Sequence, residues 1–200
     1  MALYLVRHGQ TDWNREKRFQ STTDVPLNET GLAQAWQIRE ELDRRGVKFT
    51  LARSSPLVRA VETARIIVQG TDTPYEPEPG FMEISFGNYE GRLESELQYE
   101  YGSAYGDWRE SQYTTAPPGG ESILDGAARV KPYLLPLLQQ AIDGDVLIVA
   151  HQAINMAMKV AISGRSDVES AAGFRQNNDE VDVWDMQQRE RIEMWKVHVG

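Results

Sequence analysis

Three histidines, no cysteine and 21 lysines plus arginines set the chemistry open to this chain. The absence of cysteine excludes thiolate nucleophiles, disulfides and Cys-ligated metal centres together. Two of the histidines end apolar runs. Ala2-Leu3-Tyr4-Leu5-Val6 leads into Arg7-His8-Gly9, and Val146-Leu147-Ile148-Val149-Ala150 leads into His151. If both runs are strands of an open α/β sheet, both imidazoles emerge at carboxyl ends, where such sheets bind their ligands. One histidine so placed would more ordinarily be a half-buried polar residue closing a strand. Two of them, one beside an arginine and a glycine that admits close backbone approach, favour a site. Arg59, in Ser54-Ser55-Pro56-Leu57-Val58-Arg59, falls about one turn into a helix predicted to start at another strand's carboxyl end. A helix N-terminus beside a forked guanidinium suits phosphate.

The elements that must hold these groups follow from the patterning. Both apolar runs are short and aliphatic, as central buried strands are. Between them, Asn28 can cap a helix with Leu32, Ala35, Ile38 and Leu42 on one face, ended by Arg44-Arg45-Gly46. Phe49–Ala52 reads as a strand, followed by a helix from about Pro56 to Val68 with the stripe Val58, Val61, Ala64, Ile67. Strand alternating with helix is the rhythm of a parallel sheet. From Thr71 to Gly120 the pattern weakens to loops with one amphipathic helix near Leu93–Tyr105. Ser122 can cap a helix to about Ile142, which Pro132 and Pro136 should bend or break. A helix over Ile154–Ile162 and a closing hairpin from Val181–Trp184 and Ile192–Val197 complete the chain.

Two hundred residues, 40% hydrophobic and 26% charged, suit a single α/β domain over 1–200. The net charge of −9 has the wrong sign for nonspecific binding to nucleic acid or anionic lipid. No apolar stretch approaches the ~20 residues that span a bilayer, and Ala2–Val6 is too short for a signal h-region. A cytoplasmic location is expected.

Several blocks, in order, resemble the histidine phosphatase superfamily, also called the phosphoglycerate mutase-like family. They are Leu5-Val6-Arg7-His8-Gly9-Gln10-Thr11-Asp12-Trp13-Asn14, Asp24 to Gly31, Ser54 to Ala64, Met82-Glu83-Ile84-Ser85-Phe86-Gly87-Asn88-Tyr89-Glu90-Gly91, Gly119-Gly120-Glu121-Ser122, and Val146 to His151. The resemblance covers the chain nearly end to end. It implies an α/β three-layer sandwich, with a mostly parallel central sheet and helices on both faces. It also implies catalysis by His8, Glu83 and His151, with His8 the nucleophile that forms a phosphohistidine and Glu83 the general acid and base. Arg7, Asn14, Arg59, Gln20, Ser21 and Gln152 would bind the substrate's phosphate, and the segment at about 85–120 would form a lid-like insertion in the single domain. No metal and no cofactor are implied. Glu62 and Arg65 are expected to make surface or helix-packing contacts, and Trp13, Trp36 and Trp184 to be core or rim aromatics. His198 matches a histidine that many family phosphatases carry near the end, though a solvated tail residue is its plainer reading.

The sequence departs from the family pattern at Gln20-Ser21 in place of Gln-Gly, at Ala150-His151-Gln152 in place of Ser-His-Gly, and at Asn178-Asp179-Glu180 in place of Asn-x-Ser. These leave the substrate open and the catalytic set untouched. The expected function is metal-independent hydrolysis of a small phosphorylated metabolite: a sugar, glycerate or amino-acid phosphate. Alternatives are a cofactor-dependent phosphoglycerate mutase-type phosphotransferase and a noncatalytic phosphate-recognition domain. A mutase goes with a longer chain and paired basic residues in its lid, and only Arg92 and Arg109 lie between Glu83 and Glu121. The expected partner is a small phosphorylated metabolite, with no nucleic acid and no membrane, and a homodimer is left open.

Overall fold

The structure, a computed structural model, describes residues 1–164 and 173–197. In chain order its elements are β1 (Ala2–Arg7), α1 (Asp12–Glu16), α2 (Glu29–Arg44), β2 (Phe49–Ser54), α3 (Val58–Val68) and β3 (Tyr75–Pro77). These are followed by α4 (Glu94–Tyr101), α5 (Ser103–Ser111), α6 (Ile123–Asp143), β4 (Asp145–Ala150), α7 (Gln152–Ser163), β5 (Glu180–Asp185) and β6 (Glu190–Lys196). The six strands form one sheet in the order β3-β2-β4-β1-β5-β6. Strands β3, β2, β4 and β1 pair in parallel, while β5 and β6 pair antiparallel.

Strand alternation builds the two layers that cover the sheet. Leu3, Leu5, Val146 and Ile148 pack on one face with Leu134, Ile154 and Met158 of α6 and α7. Val6, Leu147 and Val149 pack on the other with Ile38, Ala60 and Ile67 of α2 and α3. Every residue of β4 from Val146 to Ala150 is buried, so this strand carries most of the apolar contact between layers at roughly 1.5–3 kcal/mol per large side chain. The three-layer α/β architecture is as expected from the sequence.

Several elements differ from expectation, and the short strand β3 lies in the stretch read as loops with one helix. Helix α6 runs unbroken from Ile123 to Asp143 through both prolines. Pro132, Pro136 and Ala128 are all exposed, so the carbonyls that lose their helical donors at Ala128 and Pro132 lie on the water-facing side. The single helix near Leu93–Tyr105 is two, α4 and α5, divided at Gly102, whose φ of 53° is one that side-chain-bearing residues rarely adopt. The α3 helix starts at Val58, after Pro56, and its N-cap position, Leu57, has no side-chain acceptor. Asp24 supplies the cap instead, accepting from Val58 N at 2.7 Å. Phe19, Phe86, Tyr89, Tyr105 and Trp108 form a separate aromatic cluster that, with Leu97, anchors α4 and α5. Among the described residues no helix is long and apolar enough to cross a membrane.

Candidate active site

Register puts the two histidines together. β1 and β4 are neighbours, with Arg7 opposite Ala150 and the His8 amide donating to Ala150 O at 3.0 Å, so the next residue on each strand emerges side by side. The His8 and His151 ring centroids lie 5.0 Å apart. His8 Nδ1 lies 2.7 Å from Gly9 O. A carbonyl can only accept, so Nδ1 carries the proton and Nε2 keeps a free electron pair. Burial, then Arg59, then Arg7, hold the His8 pKa well below its ordinary value, so the ring is neutral.

The backbone before α2 makes this turn tight. A Cβ on Gly9 would lie 2.3 Å from Gly31 O, and one on Gly31 would lie 2.1 Å from Gln10 O. The loop after β1 and the start of α2 therefore touch backbone to backbone. Thr63 of α3 bridges the same region, accepting from Gly9 N at 3.1 Å and donating to Arg59 O at 2.7 Å.

Arg7 and Arg59 are the cations of the site. Arg59 is 1% exposed and donates to Thr23 O at 2.8 Å and Ser21 O at 2.9 Å. Arg7 donates to Gln176 O at 3.1 Å. Among the described residues neither guanidinium has an ion-pair partner, and both Nε atoms are buried without a hydrogen bond. Burial pushes each pKa down to about 10, against the pull of Glu83 on both. His151 is 1% exposed and both ring nitrogens lack partners; burial and Arg59 hold its pKa well down.

Glu83 approaches the N-terminus of α7, for which His151 is the N-cap residue. Its Oε1 accepts from Ile84 N and Ile154 N, both at 2.9 Å, and its Oε2 from Ala153 N at 3.3 Å. Burial raises the Glu83 pKa, against the pull of those three amides and of Arg59. A raised pKa lets this carboxyl hold a proton more readily than an exposed one does, which suits a proton donor and acceptor. Arg7, His8, Asn14, Arg59 and Glu83 line one small cavity of about 110 Å³.

A family model described as histidine phosphatase superfamily (branch 1) matches residues 3–197. The chain belongs to that superfamily. It is 36% identical over 174 residues to a 2,3-bisphosphoglycerate-dependent phosphoglycerate mutase of Mesorhizobium japonicum, covering 84% of each chain. Among solved structures it resembles a mycobacterial glucosyl-3-phosphoglycerate phosphatase complexed with VO3, with a TM-score of 0.82, 29% identity and 92% of each chain covered. It also resembles the alpha-ribazole phosphatase of Shigella flexneri, with a TM-score of 0.80, 28% identity, and 94% of this chain and 92% of that one covered.

In this histidine phosphatase the remaining expected site residues divide by the job their polar atoms already have. Asn14 Oδ1 accepts from Thr11 N and Thr11 Oγ1, which closes α1 and leaves the Nδ2 group for a ligand. Gln20 lines the cavity with its Oε1 buried and unpartnered. Ser21 lines it too, but its hydroxyl is taken, donating to Ile84 O and accepting from Phe86 N, so it holds the Glu83 loop. Gln152 lines the cavity with Nε2 3.5 Å from Gln176 O. Trp184 is buried, Trp13 is half-buried under the Arg18 guanidinium, and Trp36 is on the surface at 44% exposure. His198 lies outside the described residues.

Several supporting residues escaped sequence reasoning. Gln176 Nε2 donates to Leu5 O and Glu180 O while its Oε1 accepts from Asn155, so the carbonyl that holds Arg7 is itself locked to β1 and α7. Asn178 donates to His8 O at 2.7 Å. Arg129 of α6 donates to Gly80 O and Met82 O and pairs with Glu121, which accepts from Ser85 N. This clamp spans both sides of Glu83. Asn178, as one of the departures from the family pattern, and Glu121, within the Gly119-Gly120-Glu121-Ser122 block, had a signal; the others are contacts made across long sequence separations. Among the described residues no group of three or more His, Cys, Asp or Glu converges as a metal site.

Proposed function

We propose that the protein is a metal-independent phosphomonoesterase that hydrolyses a small phosphorylated metabolite through a phosphohistidine on His8. The carrying observation is that Arg7 and Arg59, neither with an ion pair among the described residues and each with a buried, unpartnered Nε, line the same cavity as His8. An uncompensated buried charge costs several kcal/mol, and a phosphoryl dianion between Arg7, Arg59 and His151 relieves that cost.

In the first step the His8 Nε2–P bond forms while the bond from phosphorus to the leaving oxygen breaks. That oxygen takes the proton held on Glu83. In the second step water gives a proton to Glu83, its oxygen bonds phosphorus, and the P–Nε2 bond breaks, returning neutral His8. Arg7 and Arg59 face the equatorial oxygens, where charge accumulates in a transferring phosphoryl group. The Gly9 carbonyl stabilises the Nδ1–H as the ring acquires positive charge.

A mutase is the second reading, favoured by the names of the curated relatives. The phosphatase reading is supported by the named functions of the solved structures with this architecture. It is further supported by the segment 85–120, whose Arg92 is tied to Glu96 and Glu100, leaving Arg109 as the arginine of that segment at the cavity. The test is a panel of phosphorylated metabolites in chelator, with phosphate release and positional isomers measured separately. Release without isomer is expected; isomer formation outpacing release would reverse the assignment.

A further inference from the structure

One residue of the cavity wall is bonded both to Arg59 and to the loop that carries Glu83. The Ser21 carbonyl accepts from Arg59 Nη2 at 2.9 Å, while its hydroxyl donates to Ile84 O at 3.2 Å and accepts from Phe86 N at 2.9 Å. Ile84 N in turn donates to Glu83 Oε1 at 2.9 Å, so a residue that Ser21 latches is also one that holds the carboxyl. Ser21 is 1% exposed, and its φ of 50° lies in the left-handed region, which glycine enters freely and a residue with a side chain enters at a cost. It stands where the family pattern carries glycine. Such a backbone persists where surrounding contacts over-determine it, and here the donor and the acceptor function of a buried hydroxyl are both used.

The two sides of this joint are not held equally. The loop before α3 has further ties: Glu90 Oε1 accepts from Thr23 N at 2.7 Å and from Thr23 Oγ1 at 2.6 Å, Thr23 O takes a second bond from Arg59, and Asp24 caps α3, the helix that bears Arg59. Arg59 therefore keeps its place without the Ser21 hydroxyl. On the other side, Ile84 O and Phe86 N have Ser21 Oγ as their hydrogen-bond partner among the described residues. Glu121 holds Ser85 between them, and Arg129 holds Met82, so losing the hydroxyl would shift this loop and not unfold it. We propose that Ser21 is a positioning residue that fixes the Glu83 carboxyl relative to the phosphoryl group gripped by Arg59, its carbonyl setting the arginine and its hydroxyl the acid. This rests on the reading of the His8 cavity as the phosphoryl site and of Glu83 as the general acid. A proton donor must reach the leaving oxygen, and a displacement of about 1 Å can cost about 100-fold in rate. An aryl leaving group needs little protonation and registers that displacement weakly.

Ser21→Gly and Ser21→Ala both remove the hydroxyl and add no atom to the cavity wall. In each, kcat/KM for a simple alkyl phosphate should fall by at least about 5-fold more than kcat/KM for p-nitrophenyl phosphate, a part of the loss expected for removing the acid itself. A purely structural loss would lower both substrates alike. Exchange of the Phe86 amide, followed by NMR on the intact protein, should quicken by about 10-fold or more in both variants, because that amide loses its buried acceptor. Ser21→Gly should have the higher urea midpoint of the two, since glycine is free of strain at this φ; the reverse order overturns the strained joint. A selectivity shift below about 5-fold in either variant, or Phe86 exchange at the wild-type rate, overturns the proposal. Failure of the phosphatase reading would appear elsewhere, as no phosphate release from p-nitrophenyl phosphate by the wild-type protein, with Phe86 exchange still reporting whether the latch exists.

Discussion

Replacing Glu83 by glutamine removes a proton donor while keeping nearly the same shape, and the structure allows the consequence to be worked out. The amide oxygen can occupy the Oε1 position, keeping the bonds from Ile84 N and Ile154 N at 2.9 Å. The NH2 group must then face Ala153 N–H, which now donates to Oε2 at 3.3 Å. One long hydrogen bond becomes a donor–donor contact, a loss of about 1 kcal/mol, or a fall of about 2–4 °C in Tm for a chain of this size. The chemical loss is far larger. General-acid catalysis contributes about 10²–10⁴-fold, so kcat/KM for an alkyl phosphate should fall by that factor, about 3–5 kcal/mol of barrier. An aryl phosphate departs as a stabilised phenolate and needs little protonation, so its kcat/KM should fall less than about 10-fold. The quantity to compare is kcat/KM, because it reports the steps up to departure of the alcohol and excludes the later attack of water, which Glu83 also assists. Phosphate release from p-nitrophenyl phosphate and from a simple alkyl phosphate, with rapid alkali quench to show that phosphorylation limits both, supplies the data. Equal factors for the two substrates would refute Glu83 as the acid. Glu121 would not be the replacement, since both its oxygens are held by Arg129 and Ser85 N.

Three further outcomes follow from the same geometry. His8→Ala should abolish turnover by several orders of magnitude with the fold retained, and the trapped wild-type intermediate should be acid-labile and alkali-stable, as a phosphoramidate is; label surviving acid would point to another nucleophile. Exhaustive chelation should leave kcat unchanged, because Arg7 and Arg59 supply the positive charge; activity lost on chelation and regained with Mg²⁺ would contradict this. Stability should fall as pH drops below about 6.5, because the unfolded chain protonates His8 and His151 there while the folded chain keeps both neutral, at up to about 1.4 kcal/mol per group per pH unit. Glu83, with its folded pKa raised, acts in the opposite sense toward lower pH, so the slope is best read just below 6.5. Urea midpoints between pH 7 and 6 should decline, and should decline less in His151→Asn; an identical slope in both proteins would show that other groups set it.

The candidate site residues were legible because local rules govern where they sit. An aliphatic run too short for anything but a strand ends at His8, another ends at His151, and a serine-proline turn before an apolar stripe sets Arg59 near a helix start. Each of those inferences needs only a few neighbouring residues. The motif around Glu83 lies in a stretch without periodicity and was recognisable by resemblance alone. What holds these residues in working geometry was not legible. The tautomer of His8 depends on the Gly9 carbonyl turning back toward its ring. The orientation of Arg7 depends on Gln176, 169 residues away, and that of the Glu83 loop on Arg129, 46 residues away. The cap of α3 comes from Asp24, and the prolines of α6 are harmless because tertiary packing turns them to solvent. The sequence by itself determined which chemical groups are present and which strand ends carry them, because hydrophobic patterning and helix signals act over a few residues. Tertiary structure alone decided which buried polar atoms find partners and which, on Arg7, Arg59 and His151, do not, because satisfying a buried hydrogen bond depends on whatever the fold brings within 3.5 Å.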